Sequence, residues 1–228
     1  CEFTAKEGDL DLRFTPAPTA AEGMAGHSTV VGRRGAGYVA EMPLAGAYPG
    51  LLVSGRADGY DPAQNLLEEI KTHRGDVARI PANHRLLHWA QVKVYGWLLC
   101  DSLGLEEIDL AVVYFNVLSQ KETVFRECFA ATELRTFFEL QCARFVAWAK
   151  QETAHRLARN ASLETLRFPY PSFRRGQRQL AEGRVVLHET RFLAVEQARA
   201  RARMPQRLFR HGAGIEHCVH VGVMLQAL

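Results

Sequence analysis

No stretch of this 228-residue chain approaches the roughly 20 consecutive apolar residues that a membrane-spanning helix requires, and no charged start followed by an apolar run marks a secretory signal. Both absences point to a cytoplasmic protein with no membrane partner. A CxxC pair is also missing. The five cysteines, Cys1, Cys100, Cys128, Cys142 and Cys218, are odd in number and widely spaced, which fits reduced thiols better than a disulfide framework. An iron-sulfur cluster needs four thiolates brought together, so none is expected. Internal repeats and low-complexity linkers are lacking. A chain that opens on Cys1 rather than Met reads as a piece of a longer polypeptide.

What is present is an ordinary globular composition, 47% hydrophobic and 23% charged, enough for one well-buried domain and part of a second. The net charge of +3 is unevenly spread. Residues 151–228 hold 13 Arg and 6 Glu, a balance of +7, which leaves −4 for residues 1–150. A mildly acidic first part suits a carboxylate-lined metal site. The Arg-rich second part suits either a nucleic-acid partner or a solvated surface.

Along the chain, residues 18–31 are predicted to form a short helix, with Thr19 as N-cap and Gly32 and Gly35 ending it. Strands are predicted at 37–44 and 51–60 around the turn-rich segment 45–50, with a third at 66–72 after the turn 61–65. Pro81 opens a long helix reaching about Leu103; strands at 108–118 and 123–130 follow, and then a helix over 132–159. This order implies an α/β fold, a mixed central β-sheet flanked by helices.

The chemistry concentrates in Gly55-Arg-Ala-Asp58-Gly-Tyr60, a turn, and Leu67-Glu-Glu69-Ile-Lys71. Side chains alternate along a strand, so Glu69 and Lys71 face one way and Ile70 the other. An antiparallel neighbour can bring Asp58 beside them. Two converging carboxylates repel unless a cation lies between them, and hard oxygen ligands suit Mg²⁺ or Mn²⁺. Such a metal lowers the pKa of a bound water and generates a nucleophile for attack on phosphorus, with Lys71 orienting the water and offsetting the developing charge.

Short matches of this kind commonly arise by chance, and taken alone Asp58, Glu69 and Lys71 are read first as a surface ion-pair cluster. Two further features favour a site. His27, in Gly23-Met-Ala-Gly-His27, lies on the preceding helix and can offer an imidazole to the same metal. On the helix after the motif, His84, His88, Gln91 and Tyr95 share one face beside an apolar arc, a stripe suited to lining a cleft. Gln91 and Tyr95 are expected to donate hydrogen bonds to phosphate, and His88 and Arg74 join them as candidate substrate contacts; His84 and His88 are equally open to a solvent-facing role.

The four motifs, Gly23 to His27, Asp58, Glu69 to Lys71 and Gln91 to Tyr95, resemble in order and context the RecB-like branch of PD-(D/E)xK nucleases, over about residues 1–150. The resemblance implies a PD-(D/E)xK restriction-endonuclease-like core. His27, Asp58 and Glu69 would bind metal, the Ile70 carbonyl would complete the coordination, and Lys71 would be catalytic.

A second, shorter resemblance starts at Phe168-Pro-Tyr-Pro-Ser-Phe173-Arg-Arg-Gly176-Gln177, which is similar to the opening segment of DinG/XPD-type superfamily 2 helicases. The next feature of such helicases, a phosphate loop ending in Gly-Lys-Thr or Gly-Lys-Ser, is absent. His211-Gly-Ala-Gly214 has no lysine to reach phosphates, so no ATPase is expected here. The domain reading is therefore a nuclease domain over 1–160, a linker and helicase opening segment over 161–182, and an unassigned basic tail over 183–228. That tail, with Arg199, Arg201, Arg203, Arg207 and Arg210 and a loose group of His211, His217, Cys218 and His220, is expected to be dispensable for folding.

The expected function is a metal-dependent DNA nuclease, a single-strand exonuclease or a flap-type endonuclease, acting on DNA that is single-stranded or has a single-stranded end and serving repair or replication alongside a helicase in the same or another chain. The alternative is a catalytically silent module of the same fold that grips DNA.

Overall fold

The computed structural model describes residues 18–165, 167, 171, 172, 174, 176–178 and 217–220. The elements are α1 (Ala20–Gly32), β1 (Val39–Tyr48), β2 (Leu51–Asp61), β3 (Leu66–His73), a 3-10 turn (Val77–Arg79), α2 (Ala82–Leu103), β4 (Glu107–Asn116), β5 (Lys121–Ala130), α3 (Ala131–Glu164) and β6 (His217–His220). The sheet runs β1-β2-β3-β4-β5, with β6 paired to β2 off this path. β3 and β4 are parallel and joined through α2; the β1-β2, β2-β3 and β4-β5 pairs are antiparallel. It is an α/β fold with a mixed sheet and flanking helices, consistent with a PD-(D/E)xK-like core.

Local chemistry accounts for most of these boundaries. Thr19 caps α1 in a reciprocal box, its hydroxyl accepting from the Glu22 amide while the Glu22 carboxylate accepts from the Thr19 amide. β1 continues through Ala45–Tyr48, which the sequence assigned to a turn; only Pro49 and Gly50 reverse the chain, Gly50 at φ 76. Glycine takes that left-handed conformation without a Cβ clash. Pro43 is tolerated because β1 lies at the edge of the sheet, where a missing ladder donor costs little.

β4 is buried on both faces, which explains its nearly unbroken apolar run Ile108 to Phe115. On one face the main core gathers Leu67, Ile108, Leu110, Val112 and Tyr114 against Val92, Tyr95, Leu98 and Leu99 of α2 and Leu134, Phe138 and Cys142 of α3. The opposite face carries a small cluster, Ile70, Val113 and Phe115 with Val30 of α1. β5, by contrast, is an edge strand whose side chains are mostly exposed.

The chain divides into two compact units, residues 1–151 with 214–228, and residues 152–213. Among the described residues the second unit contains the last turns of α3, which reaches Glu164 rather than Arg159, with side chains that are largely exposed. Among the described residues no helix is long and apolar enough to cross a membrane. Half of the helicase-like segment 168–177, and all of Arg199, Arg201, Arg203, Arg207, Arg210 and His211, lie outside the described residues.

The strand β6 was not foreseen from the sequence. Its backbone runs parallel to β2, with His217 to His220 aligned on Leu51 to Ser54. A segment of the tail therefore belongs to the sheet, which runs against its being dispensable for folding. Deleting residues 214–228 is expected to lower stability by roughly 1–2 kcal/mol, as a short ladder of hydrogen bonds contributes. Thermal unfolding of the truncated chain measures this, and an unchanged midpoint would restore the dispensable tail.

Candidate active site

The site lies where two strands part. β2 and β3 are paired only at Gly59 with Glu68, Tyr60 with Leu67 and Asp61 with Leu66, while the other end of the same β2 edge pairs with β6 at Leu51 to Ser54. Between them, Gly55 to Asp58 have no strand partner on that edge among the described residues. Buried backbone groups left without a ladder must find other partners. Two site residues serve them. The Asp58 Oδ2 accepts a 2.6 Å hydrogen bond from the Ile70 backbone N–H, and the Tyr95 hydroxyl is hydrogen-bonded to the Arg56 backbone.

Gly55 makes the second arrangement possible. A Cβ there would come within 2.6 Å of the Tyr95 ring, so only glycine lets the ring reach the fork. Across β1, Glu41 stands opposite Asp58 in the register but drops out of the pairing, with a left-handed φ of 51. A non-glycine residue held there stores backbone strain, a feature common next to functional groups.

Glu69 and Lys71 face α2, as alternation requires. Lys71 Nζ donates to Glu69 Oε1 at 2.6 Å and to Gln91 Oε1 at 3.1 Å, joining the motif strand to the polar stripe of α2. Glu69 is 2% exposed, and its second oxygen, Oε2, is buried with no hydrogen-bond partner. Burial, reinforced by nearby Asp58 and opposed by Lys71, pushes its carboxyl up to about 7. His27 reaches the fork from α1, its Nδ1 3.5 Å from Asp58 Oδ1, and this contact raises the imidazole pKa above its ordinary value despite burial. Tyr95 is pushed up to about 12 by burial and remains a neutral hydroxyl.

His27, Asp58, Ile70, Glu69, Lys71, Gln91 and Tyr95 are thus brought together, although the Ile70 side chain points into the cluster beneath α1. Two residues expected at the substrate are engaged elsewhere. His88 Nδ1 lies 2.9 Å from the buried Tyr114 hydroxyl, and burial drops its pKa to about 3, so it is a neutral interior hydrogen-bonding group. Arg74 is ion-paired with Glu22 of α1 at 2.5 Å.

The donor chemistry suits a divalent cation, because two carboxylates and an imidazole meet at the fork and one carboxylate oxygen, buried, lacks a partner. Among the described residues no group of three His, Cys, Asp or Glu side chains is already gathered tightly enough to hold a metal ion. Asp58 stands with His27, and Glu69 with Lys71.

The sequence did not single out Arg34, Tyr38 or Glu68. Arg34 makes a bidentate pair with Glu68 at 2.7 and 3.1 Å and reaches Glu122 of β5 at 2.9 Å, while the Tyr38 hydroxyl donates to Glu68 at 2.9 Å. The signal was available: the alternation that turns Ile70 away from Glu69 turns Glu68 away too, leaving a carboxylate under α1 in need of a cation.

No family model matches the chain, and no curated protein matches it. Among solved structures, the crystal structure of SSO0001 is similar at 20% identity and a TM-score of 0.37, over 60% of this chain and 66% of that one, just under two thirds of its length.

Glu69 leaves a signature in stability. The folded protein keeps its proton up to about pH 7, whereas the unfolded chain releases it near 4.5, so this group makes stability fall as pH rises between those values. Glu69→Gln cannot ionise. In metal-free protein its unfolding free energy is expected to match the wild type near pH 4 and to exceed it above pH 7, by a gap on the order of 3 kcal/mol that melting curves across the range report. Parallel melting curves across that range would mean that Glu69 is ionised in the fold.

Proposed function

We propose that this chain is a metal-dependent nuclease of the PD-(D/E)xK type, hydrolysing phosphodiester bonds of DNA that is single-stranded or has a single-stranded end. The observation that carries this reading is the unpartnered, buried Oε2 of Glu69 at a strand fork that also holds Asp58, His27 and Lys71. An ion-pair cluster made only for stability would leave no carboxylate oxygen without a donor in so dry a place. His27, Asp58 and Glu69, with the Ile70 carbonyl, would hold Mg²⁺ or Mn²⁺. Bound there, the cation supplies Lewis-acid chemistry and a lowered water pKa.

The chain's own groups divide the remaining work. Lys71, held between Glu69 and Gln91, presents an ammonium where negative charge builds up on the phosphoryl oxygens, and it can orient the attacking water. Asp58, fixed by the Ile70 amide, cannot swing away from the fork. Tyr95 closes the wall behind it. Association with a helicase module, in the same or another chain, is part of the proposal and is supported by the resemblance of 168–177.

A second reading, a silent module that grips DNA, is favoured by one observation: no three-ligand cluster is assembled among the described residues. Digestion of end-labelled single-stranded and duplex DNA with Mg²⁺, Mn²⁺ or chelator separates the two. Cleavage that requires metal supports the nuclease, and DNA binding without cleavage in any metal supports the grip.

Asp58→Ala and Glu69→Ala are expected to abolish cleavage with the fold retained, as removing either also relieves repulsion in the metal-free site. Lys71→Ala is expected to lose about 10²–10³-fold in kcat while keeping Mn²⁺ affinity. Calorimetry that finds Mn²⁺ binding lost in Lys71→Ala but kept in Asp58→Ala would reverse these roles.

A further inference from the structure

Helix α1 lies on β3 in a regular match. Three residues one turn apart on the helix, Glu22, Gly26 and Val30, and then Arg34, just past its C-cap Arg33, meet four alternate residues of one strand face and its extension, Arg74, Thr72, Ile70 and Glu68, in antiparallel order. Glu22 is ion-paired with Arg74. Gly26 lies so close to Thr72 that a Cβ would come within 2.6 Å of its methyl group. Val30 and Ile70 share one buried cluster. Arg34 grips Glu68 with two hydrogen bonds. The match is geometric: four helical residues rise about 6.0 Å, and two strand residues span about 6.6 Å.

The middle of this seam has no directional bond. Gly26 and Val30 supply close packing, which resists separation more than sliding. The ends must therefore fix the slide. Glu22 and Arg74 are both more than a third exposed, and exposed ion pairs contribute little. Glu68 is 4% exposed, holds Arg34 in a planar fork and also accepts from Tyr38, while Arg34 is tied to Glu122 on β5. This end is the fixed point. His27, the neighbour of Gly26, stands 3.5 Å from Asp58 with the helix in this setting.

We propose that the Arg34–Glu68 clamp is a positioning device for the candidate site: by fixing where α1 lies along β3, it sets the distance from the His27 imidazole to Asp58. Arg34 and Glu68 are positioning residues that touch neither metal nor DNA. The part of the inference that concerns metal affinity rests on the nuclease reading; the geometric part does not.

The test uses the full chain and two variants. Arg34→Lys keeps the charge but loses the fork, and Glu68→Gln is the milder change in case the first does not fold. The first readout is metal-free: nuclear Overhauser contacts between the His27 ring and the Asp58 methylene, with Val30 to Ile70 contacts as the internal reference. The clamp predicts that both variants lose the first contacts and keep the second. The second readout is calorimetry with Mn²⁺ and no DNA, where affinity is expected to fall about tenfold, the scale typical for groups that orient a ligand. Added to His27→Ala, Arg34→Lys is expected to cause no further loss, because it acts through that imidazole. Unchanged His27 to Asp58 contacts in a variant that merely melts earlier would overturn the proposal, and so would Mn²⁺ losses that add in the double variant. A wild type that binds no Mn²⁺ would instead overturn the nuclease reading, and the metal-free contacts alone would then decide the clamp.

Discussion

One hydrogen bond organises the site: the Asp58 carboxylate accepting the backbone N–H of Ile70 where β2 and β3 part company. A sheet that splits must satisfy the amides it uncovers, and here a side chain substitutes for the missing strand. The substitution ties the position of Asp58 to the backbone of the strand carrying Glu69 and Lys71, so the two carboxylates cannot drift apart independently. Tyr95 completes the accounting from the other side by reaching the Arg56 backbone across Gly55. The opening that results is lined by polar groups with fixed partners, save for one oxygen of Glu69.

The two faces of the sheet divide the labour around that opening. On the α2 face, Glu69 and Lys71 meet Gln91 in a setting dry enough to push a carboxyl up to about 7. On the α1 face, a pair of opposite charges just past the end of the helix anchors the element that brings His27 to the fork. Asp58 reaches both because it sits at the gap. In a continuous sheet the two sets of groups would be separated by a layer of backbone.

Much of this was legible in the sequence. Alternation alone put Glu69 and Lys71 on one face and Ile70 on the other, and the i, i+4 spacing put Gln91 and Tyr95 on one side of α2; Thr19 announced the start of α1. Other features were hidden for physical reasons. His88 looked like a cleft residue because a helical stripe gives direction but not depth, and Tyr114, its partner, comes from a strand 26 residues away. Arg74 looked free to meet phosphate because the sequence does not show that Glu22 lies across the seam. The segment 45–50 read as a turn from its glycines and proline, yet edge position lets β1 absorb them. The four residues of β6 are too few for any periodicity to register.

That last strand has a consequence for how the molecule is made. β2 is among the first strands synthesised, and β1 matches one of its edges at once, but on the other edge Leu51 to Ser54 pair with His217 to His220, far later in the chain. A nascent chain emerging from the ribosome must keep that edge from other strands until residue 220 is free, and the entropy of closing so long a loop makes this pairing a late step. The fork that frames Asp58 is thus among the last parts of the sheet to be completed. During synthesis, the stretch that leads to Asp58 is a β-edge open to mispairing with a neighbouring chain.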